Sequence, residues 1–235
     1  LFCAALLVVG LVYVGIAVNR LMNPREVTVQ PVPMKPVDLA EDAKARLRIA
    51  KPRALTGTLD EVLSAARAAY VPTRHHPLLG KPAPDFKLLD TDGNERSLAE
   101  LRAAGPVVLI FYYGYHCDHC VSQLFDVHED IRYFHELGVA VVAVSADPPE
   151  LTRERYKEYG NFAFPVMSDP GNKVAALYGL FRPAIDDKPE NLDHGTFVIA
   201  RDGKVTWAAF GSEPFSGNST LLYQAAWLEN KSPKE

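Results

Sequence analysis

The sequence predicts an α/β fold with a central mixed sheet and flanking helices. Three observations predict it. Two apolar runs, 107–113 and 139–144, enclose a helical pattern, which argues a parallel strand–helix–strand unit. A cysteine pair, Cys117-Asp118-His119-Cys120, stands where the first run gives way to that helix. Later, 196–200 and 204–210 flank Arg201-Asp202-Gly203, a hairpin signal.

The chain has 235 residues, 48% of them hydrophobic, enough for one ordinary domain plus extensions. Its net charge of −4 is mild, and no basic stripe with interleaved aromatics points to nucleic acid. Three cysteines are too few for a disulfide-scaffolded fold.

Residues 1–18 carry no charge and are nearly all aliphatic, a length that just spans a bilayer. Arg20 and Arg25 follow, with Pro24 as a stop. An uncleaved membrane anchor is expected, with a secretory signal peptide as the rival. Cys3 reads as a small apolar residue within that helix. Arg20, Arg25 and Lys35 pull their side toward the cytoplasm. The common use of such an anchor to export one soluble domain argues the reverse, so the domain is expected on the periplasmic, extracytoplasmic side.

Residues 19–77 read as a linker with short helices. Prolines 24, 31, 33 and 36 favour an extended segment. Helical patterns cover 38–50 and 58–70, the second opened by the capping box Thr58-Leu59-Asp60-Glu61. These helices either act as a spacer or pack on the domain. The pair His75-His76 reads as loop surface, since no partner ligand is near in sequence.

The compact domain is expected over 78–230. Lys81-Pro82-Ala83-Pro84-Asp85-Phe86 leads into a short strand at 87–89, and Thr91-Asp92-Gly93-Asn94 is a turn by composition. Ser97-Leu98-Ala99-Glu100 is a second capping box, opening a helix that ends at Gly105. The strand at 107–113 and one helix at 121–137 follow, closed by Gly138. Then come the strand at 139–144, a helix from Pro148-Pro149 to about 159, and an extended piece at 164–167. A helix from Asp169-Pro170-Gly171 to about 178, the hairpin, and a last helix at 219–229 complete the order. This succession fits a thioredoxin-like α/β sandwich. His128 and His135 read as surface or packing residues, and Trp207 and Trp227 as core or edge aromatics.

At a strand–helix junction a cysteine lies near free backbone N–H groups and the positive end of the helix dipole. Both favour thiolate, so Cys117 is expected to be the more acidic and reactive thiol. Cys120 lies three residues on, on the same helical face, close enough to close a disulfide. A pair of purely structural cysteines is the bland alternative.

Residues 79–228 resemble the redoxin group: peroxiredoxin-like proteins of the alkyl hydroperoxide reductase/thiol-specific antioxidant family, and membrane-tethered thioredoxin-like proteins. The matching pieces are Gly80 to Phe86, Ser145-Ala146-Asp147, Phe164-Pro165-Val166-Met167-Ser168-Asp169, Tyr178-Gly179 and Thr196-Phe197-Val198-Ile199. The run from Phe111 to Leu124 is similar to a C-x-x-C branch of that family. Departures stand beside the match. Where typical peroxiredoxins carry a proline and a threonine or serine ahead of the reactive cysteine, this chain has Ile110 and Gly114. Where they carry an arginine before the Thr196 strand, it has His194-Gly195, and Gly195 stands where thioredoxins put a cis-proline.

The resemblance implies a thiol-disulfide oxidoreductase. Cys117 attacks a disulfide or peroxide, and Cys120 resolves the product to a Cys117–Cys120 disulfide. His119 resembles the residue before the second cysteine of disulfide oxidases and isomerases, where it stabilises the thiolate; Asp118 opposes it. Catalytic roles are therefore expected for Cys117, Cys120 and His119, with no cofactor. The expected partners are a thiol or disulfide protein, a reductant, and a membrane through 1–18. One alternative is an antioxidant thiol-dependent peroxidase acting on hydroperoxides. Another is copper handling, because Asp193-His194 is similar to the ligand histidine of Sco-type copper chaperones. That reading uses Cys117, Cys120 and His194. A non-catalytic binding module is a third, without positive support.

Overall fold

The computed structural model describes residues 55–229, together with Glu41 and Ala45, which are helical. The expected anchor at 1–18, the proline-spaced segment at 19–36 and the rest of the pattern at 38–50 lie outside the described residues. Among the described residues no helix is long and apolar enough to cross a membrane.

The elements run α1 (Leu59–Ala69), β1 (Lys87–Asp90), β2 (Glu95–Ser97), α2 (Leu98–Ala104), β3 (Val107–Phe111), α3 (Asp118–Glu129) and α4 (Ile131–Leu137). They continue β4 (Ala140–Ser145), α5 (Pro149–Tyr159), β5 (Val166–Ser168), α6 (Lys173–Leu177) and β6 (Phe181–Arg182). The last are β7 (Asn191–Leu192), β8 (His194–Ile199), β9 (Val205–Gly211) and α7 (Asn218–Leu228). The main sheet has the order β2-β1-β5-β4-β3-β8-β9. Strands β3, β4 and β5 are parallel, while β8 runs antiparallel to β3 and β9 antiparallel to β8.

Strand β3 is buried along its whole length, as a central strand covered on both faces must be. Its side chains alternate between two cores. Val108 and Ile110 join Leu124, Val127, Phe134, Leu221 and Leu222 on the α3–α4–α7 face. Val107, Leu109 and Phe111 join Leu98, Val174, Tyr178 and Phe197 on the other. Strand β4 divides the same way, Val141 and Ala143 against Val142 and Val144.

Both expected capping boxes form. Thr58 and Glu61 close one at α1, and Ser97 and Glu100 the other at α2. Of the two readings for α1, packing holds: Val62 and Leu63 enter the first core and Ala66 is buried. The segment after α1 runs along β9. Trp207 Nε1 donates to Val71 O at 3.0 Å, and Arg74 N to Ala208 O at 2.9 Å.

Four expectations need correction. The single helix at 121–137 is two helices meeting at Asp130, whose φ and ψ of −99° and 6° leave the helical region. Asp130 takes a hydrogen bond from Asn218 Nδ2 at 2.9 Å, a tertiary contact that competes with continued helix. The strand at 107–113 ends at Phe111, and β2, β6 and β7 were not expected at all. These are strands of two or three residues, too short for periodicity to register. His76 is not loop surface: it is 6% exposed, its ring lies edge-on to Phe197 and Phe210, and its Nδ1 accepts from Leu78 N at 3.2 Å. Trp207 is a core residue and Trp227 is exposed.

Candidate active site

Strand β3 delivers the chain to the site. After Phe111 it leaves the sheet, and Cys117 N donates to Gly114 O at 3.2 Å, forming the turn that enters α3. Cys117 is the N-cap of α3, and its Sγ accepts from Cys120 N at 3.4 Å. This is the strand–helix junction expected from sequence, where the first turn's N–H groups have no partner within the helix and Cys120 N turns to the sulfur instead. Helix α3 begins at Asp118, earlier than the apolar pattern indicated, because polar residues fill its first turn.

Cys117 and Cys120 form a disulfide, with Cα atoms 5.4 Å apart. The two sulfurs have unlike surroundings. Cys117 is half-buried at the surface, and Cys120 is fully buried.

Because β8 runs antiparallel to β3 and pairs Gly195 with Phe111, its first residue lies beside the end of β3. That residue is His194. Its Nε2 sits 3.0 Å from Cys120 Sγ, and its ring stacks on Tyr113 with centroids 3.9 Å apart. His194 is 3% exposed. Burial pushes its pKa below the usual imidazole value, against the nearby Gly211 and Ser212 backbone and the Glu213 and Asp193 carboxylates, which favour the charged ring. Nδ1 makes no hydrogen bond of normal geometry among the described residues, although the Gly211 and Ser212 backbone faces the ring. Burial, then Asp193 and Glu213, push the Tyr113 phenol up.

His119 occupies a different environment. It is exposed, with Nδ1 3.4 Å from Glu213 Oε2 and Nε2 3.7 Å from Asp118 Oδ1. It makes no hydrogen bond to either sulfur. Cys117, Cys120 and His194 do converge: their ligand-capable atoms all lie within 4.8 Å of one another. His116 is exposed, and His128 Nδ1 accepts from Ala163 N at 3.1 Å, a packing role as expected.

Two features explain the departures seen in sequence. Gly114 has φ of 125°, and a Cβ there would lie 2.6 Å from Asp147 Oδ2, so no side chain fits. Gly195 has no room either: an added Cβ would meet Leu180 and come within 2.9 Å of Phe197 Cε2. Sequence reasoning missed Asp147, Tyr113 and Glu213 at the site. Asp147 and Tyr113 carried a signal, as the last residue of the Ser145-Ala146-Asp147 match and as part of the run from Phe111 to Leu124, but Glu213 carried none.

A closed cysteine pair capping a helix, beside a sheet of this order, defines a thioredoxin-like redox protein. A family model described as the AhpC/TSA family matches residues 79–208, and the chain belongs to that family. A protein of Mycobacterium tuberculosis named as a peroxiredoxin is 31% identical over 133 residues, covering 56% of this chain and 83% of its own. The thiol-disulfide oxidoreductase ResA of Halalkalibacterium halodurans is 32% identical over 127 residues, covering 54% and 70%. Among solved structures, the peroxidoxin BcpB of Mycobacterium tuberculosis superposes with a TM-score of 0.56 at 29% identity, covering 66% of this chain and 98% of its own.

Proposed function

We propose that this protein is a membrane-anchored thiol-disulfide oxidoreductase that cycles Cys117 and Cys120 between dithiol and disulfide, with its redox domain outside the cytoplasm. The observation that carries the reading is the unlike pair of sulfurs: Cys117 reachable at a helix N-terminus, Cys120 buried 3.0 Å from an imidazole. The family membership and the resemblance to ResA support it. The anchor rests on the uncharged apolar stretch at 1–18.

When the disulfide is reduced, an incoming thiolate attacks Cys117 Sγ. A bond forms between those sulfurs, the Cys117–Cys120 bond breaks, and its electron pair leaves on Cys120 Sγ. His194, with the proton on Nε2, donates a hydrogen bond to that leaving thiolate. A second thiolate of the partner then attacks its own sulfur in the mixed disulfide, which frees Cys117 as thiolate. In the oxidising direction the Cys117 thiolate attacks one sulfur of a client disulfide, whose S–S bond breaks and releases the other client sulfur as thiolate. Cys120 passes its proton to an unprotonated His194 Nε2 and attacks Cys117 Sγ, expelling the client thiolate. One imidazole thus serves both directions, as hydrogen-bond donor in the first and proton acceptor in the second. His119 acts at the rim, where a protonated ring would favour the Cys117 thiolate and Asp118 would oppose it.

The test is a thiol count on the protein across a glutathione redox series. A two-electron transition is expected, and it disappears in Cys117→Ser. No transition in the parent protein, or one that survives the substitution, overturns the reading.

Hydroperoxide reduction would use the same Cys117 and Cys120. The chain offers it less, because Gly114 presents no hydroxyl and His194-Gly195 stand where an arginine is expected. Rapid hydrogen peroxide consumption with a thiol donor would favour it.

A specific observation supports a copper-carrying reading. In the dithiol form Cys117, Cys120 and His194 offer two thiolates and an imidazole within 4.8 Å, a soft donor set suited to Cu(I) as cargo. Stoichiometric Cu(I) uptake by the reduced protein, weakened in His194→Ala, is its test.

A further inference from the structure

We infer that Asp147 is a positioning residue for Cys117, acting through the backbone of the turn before it; the inference rests on the thiol-disulfide reading. Asp147 follows β4, and its own N–H donates to Ser145 Oγ at 3.3 Å. Pro148 and Pro149 open α5 immediately after it, so its backbone has little freedom. From this fixed base the carboxylate reaches across to the connection between β3 and α3. Oδ2 accepts from Tyr115 N at 2.8 Å.

Tyr115 lies inside the turn whose ends are Gly114 O and Cys117 N, joined at 3.2 Å. The carboxylate therefore holds the middle of the turn that sets where Cys117 stands. Gly114 fits that grip closely: its backbone takes a φ of 125°, and the carboxylate fills the volume a side chain would need. The buried Tyr115 ring, edge-on to Tyr112 with centroids 5.9 Å apart, anchors the same segment in the core. With both holds in place, Cys117 is kept at the Cα separation of 5.4 Å at which its sulfur meets that of Cys120. Loosening the turn lowers the effective concentration of one sulfur at the other, and the equilibrium moves toward the dithiol.

The experiment is the equilibrium of the full chain with glutathione in three variants. Asp147→Ala removes the acceptor and should shift the constant toward the dithiol by about tenfold. Asp147→Asn keeps an oxygen that accepts the same N–H, and should stay within about twofold of the parent protein. Asp147→Glu keeps the charge but pushes the carboxylate into space Gly114 does not leave, so it should shift as alanine does. An alanine variant at the parent value overturns the role. So does a charge pattern, with asparagine shifted and glutamate unchanged, and that pair decides the question if the alanine variant does not fold. A parent protein without a two-electron transition overturns the oxidoreductase reading itself. A normal parent transition with unshifted variants overturns only the part given to Asp147.

Discussion

Two imidazoles near the disulfide, His119 and His194, stand in opposite environments. His119 lies between the cysteines in sequence, yet its nitrogens face Glu213 and Asp118 at the surface. His194 lies 74 residues from Cys120, yet its Nε2 is 3.0 Å from that sulfur and its ring is buried. Residues inside a C-x-x-C motif ride on the first turn of a helix, and the outward side of that turn meets solvent. The inward side meets whatever the neighbouring strand supplies. Here β8 supplies a histidine. Proximity in sequence thus places His119 at the rim, and strand pairing places His194 beside the buried sulfur.

That comparison can be broken by substitution. The largest effect is expected for His194→Ala. With no proton partner beside Cys120, resolution of the mixed disulfide should slow by about 10²-fold, the low end of general acid–base contributions. Rapid-quench trapping would then show the mixed disulfide at Cys117 accumulating. An unchanged resolution rate would remove His194 from the chemistry.

A second expectation concerns acid. His76 and His194 are both buried, and burial first of all pushes both pKa values below the ordinary imidazole value of 6.5. The unfolded chain therefore binds protons on these rings at a higher pH than the folded one. Their contribution to stability is fully present above pH 6.5 and is lost as pH falls through the depressed folded values. For His76 the geometry agrees, since protonating Nδ1 breaks its bond from Leu78 N. Melting temperature should fall from pH 8 to pH 5, and fall less in His76→Gln. An equal slope in that variant would show that other groups set the acid limb.

The smallest effect is expected for His119→Ala. Exposed ion pairs contribute little, so exchange rates should change by no more than about threefold, and less still at high salt. A loss matching that of His194→Ala would reverse the comparison.

Much of the fold was legible because the signals were local. Apolar runs marked β3 and β4, capping boxes at Thr58 and Ser97 fixed two helix starts, and Arg201-Asp202-Gly203 marked the hairpin. The short strands β2, β6 and β7 and the break at Asp130 were not legible. Strand pairs of two or three residues carry no period, and the break depends on Asn218, 88 residues away. At the site, the junction position and the pair Cys117–Cys120 were readable, and His194 was reached only through a resemblance.

The sequence alone determined the reactive pair, its helix N-terminus and the strand that leads to it, since each depends on neighbours within a few residues. The tertiary structure decided which sulfur is buried, that His194 rather than His119 touches it, and that Asp147 grips the turn at Gly114. These are meetings between the ends of β3, β4 and β8. Spacing along a chain does not encode them; they arise when strands far apart in sequence pair in one sheet.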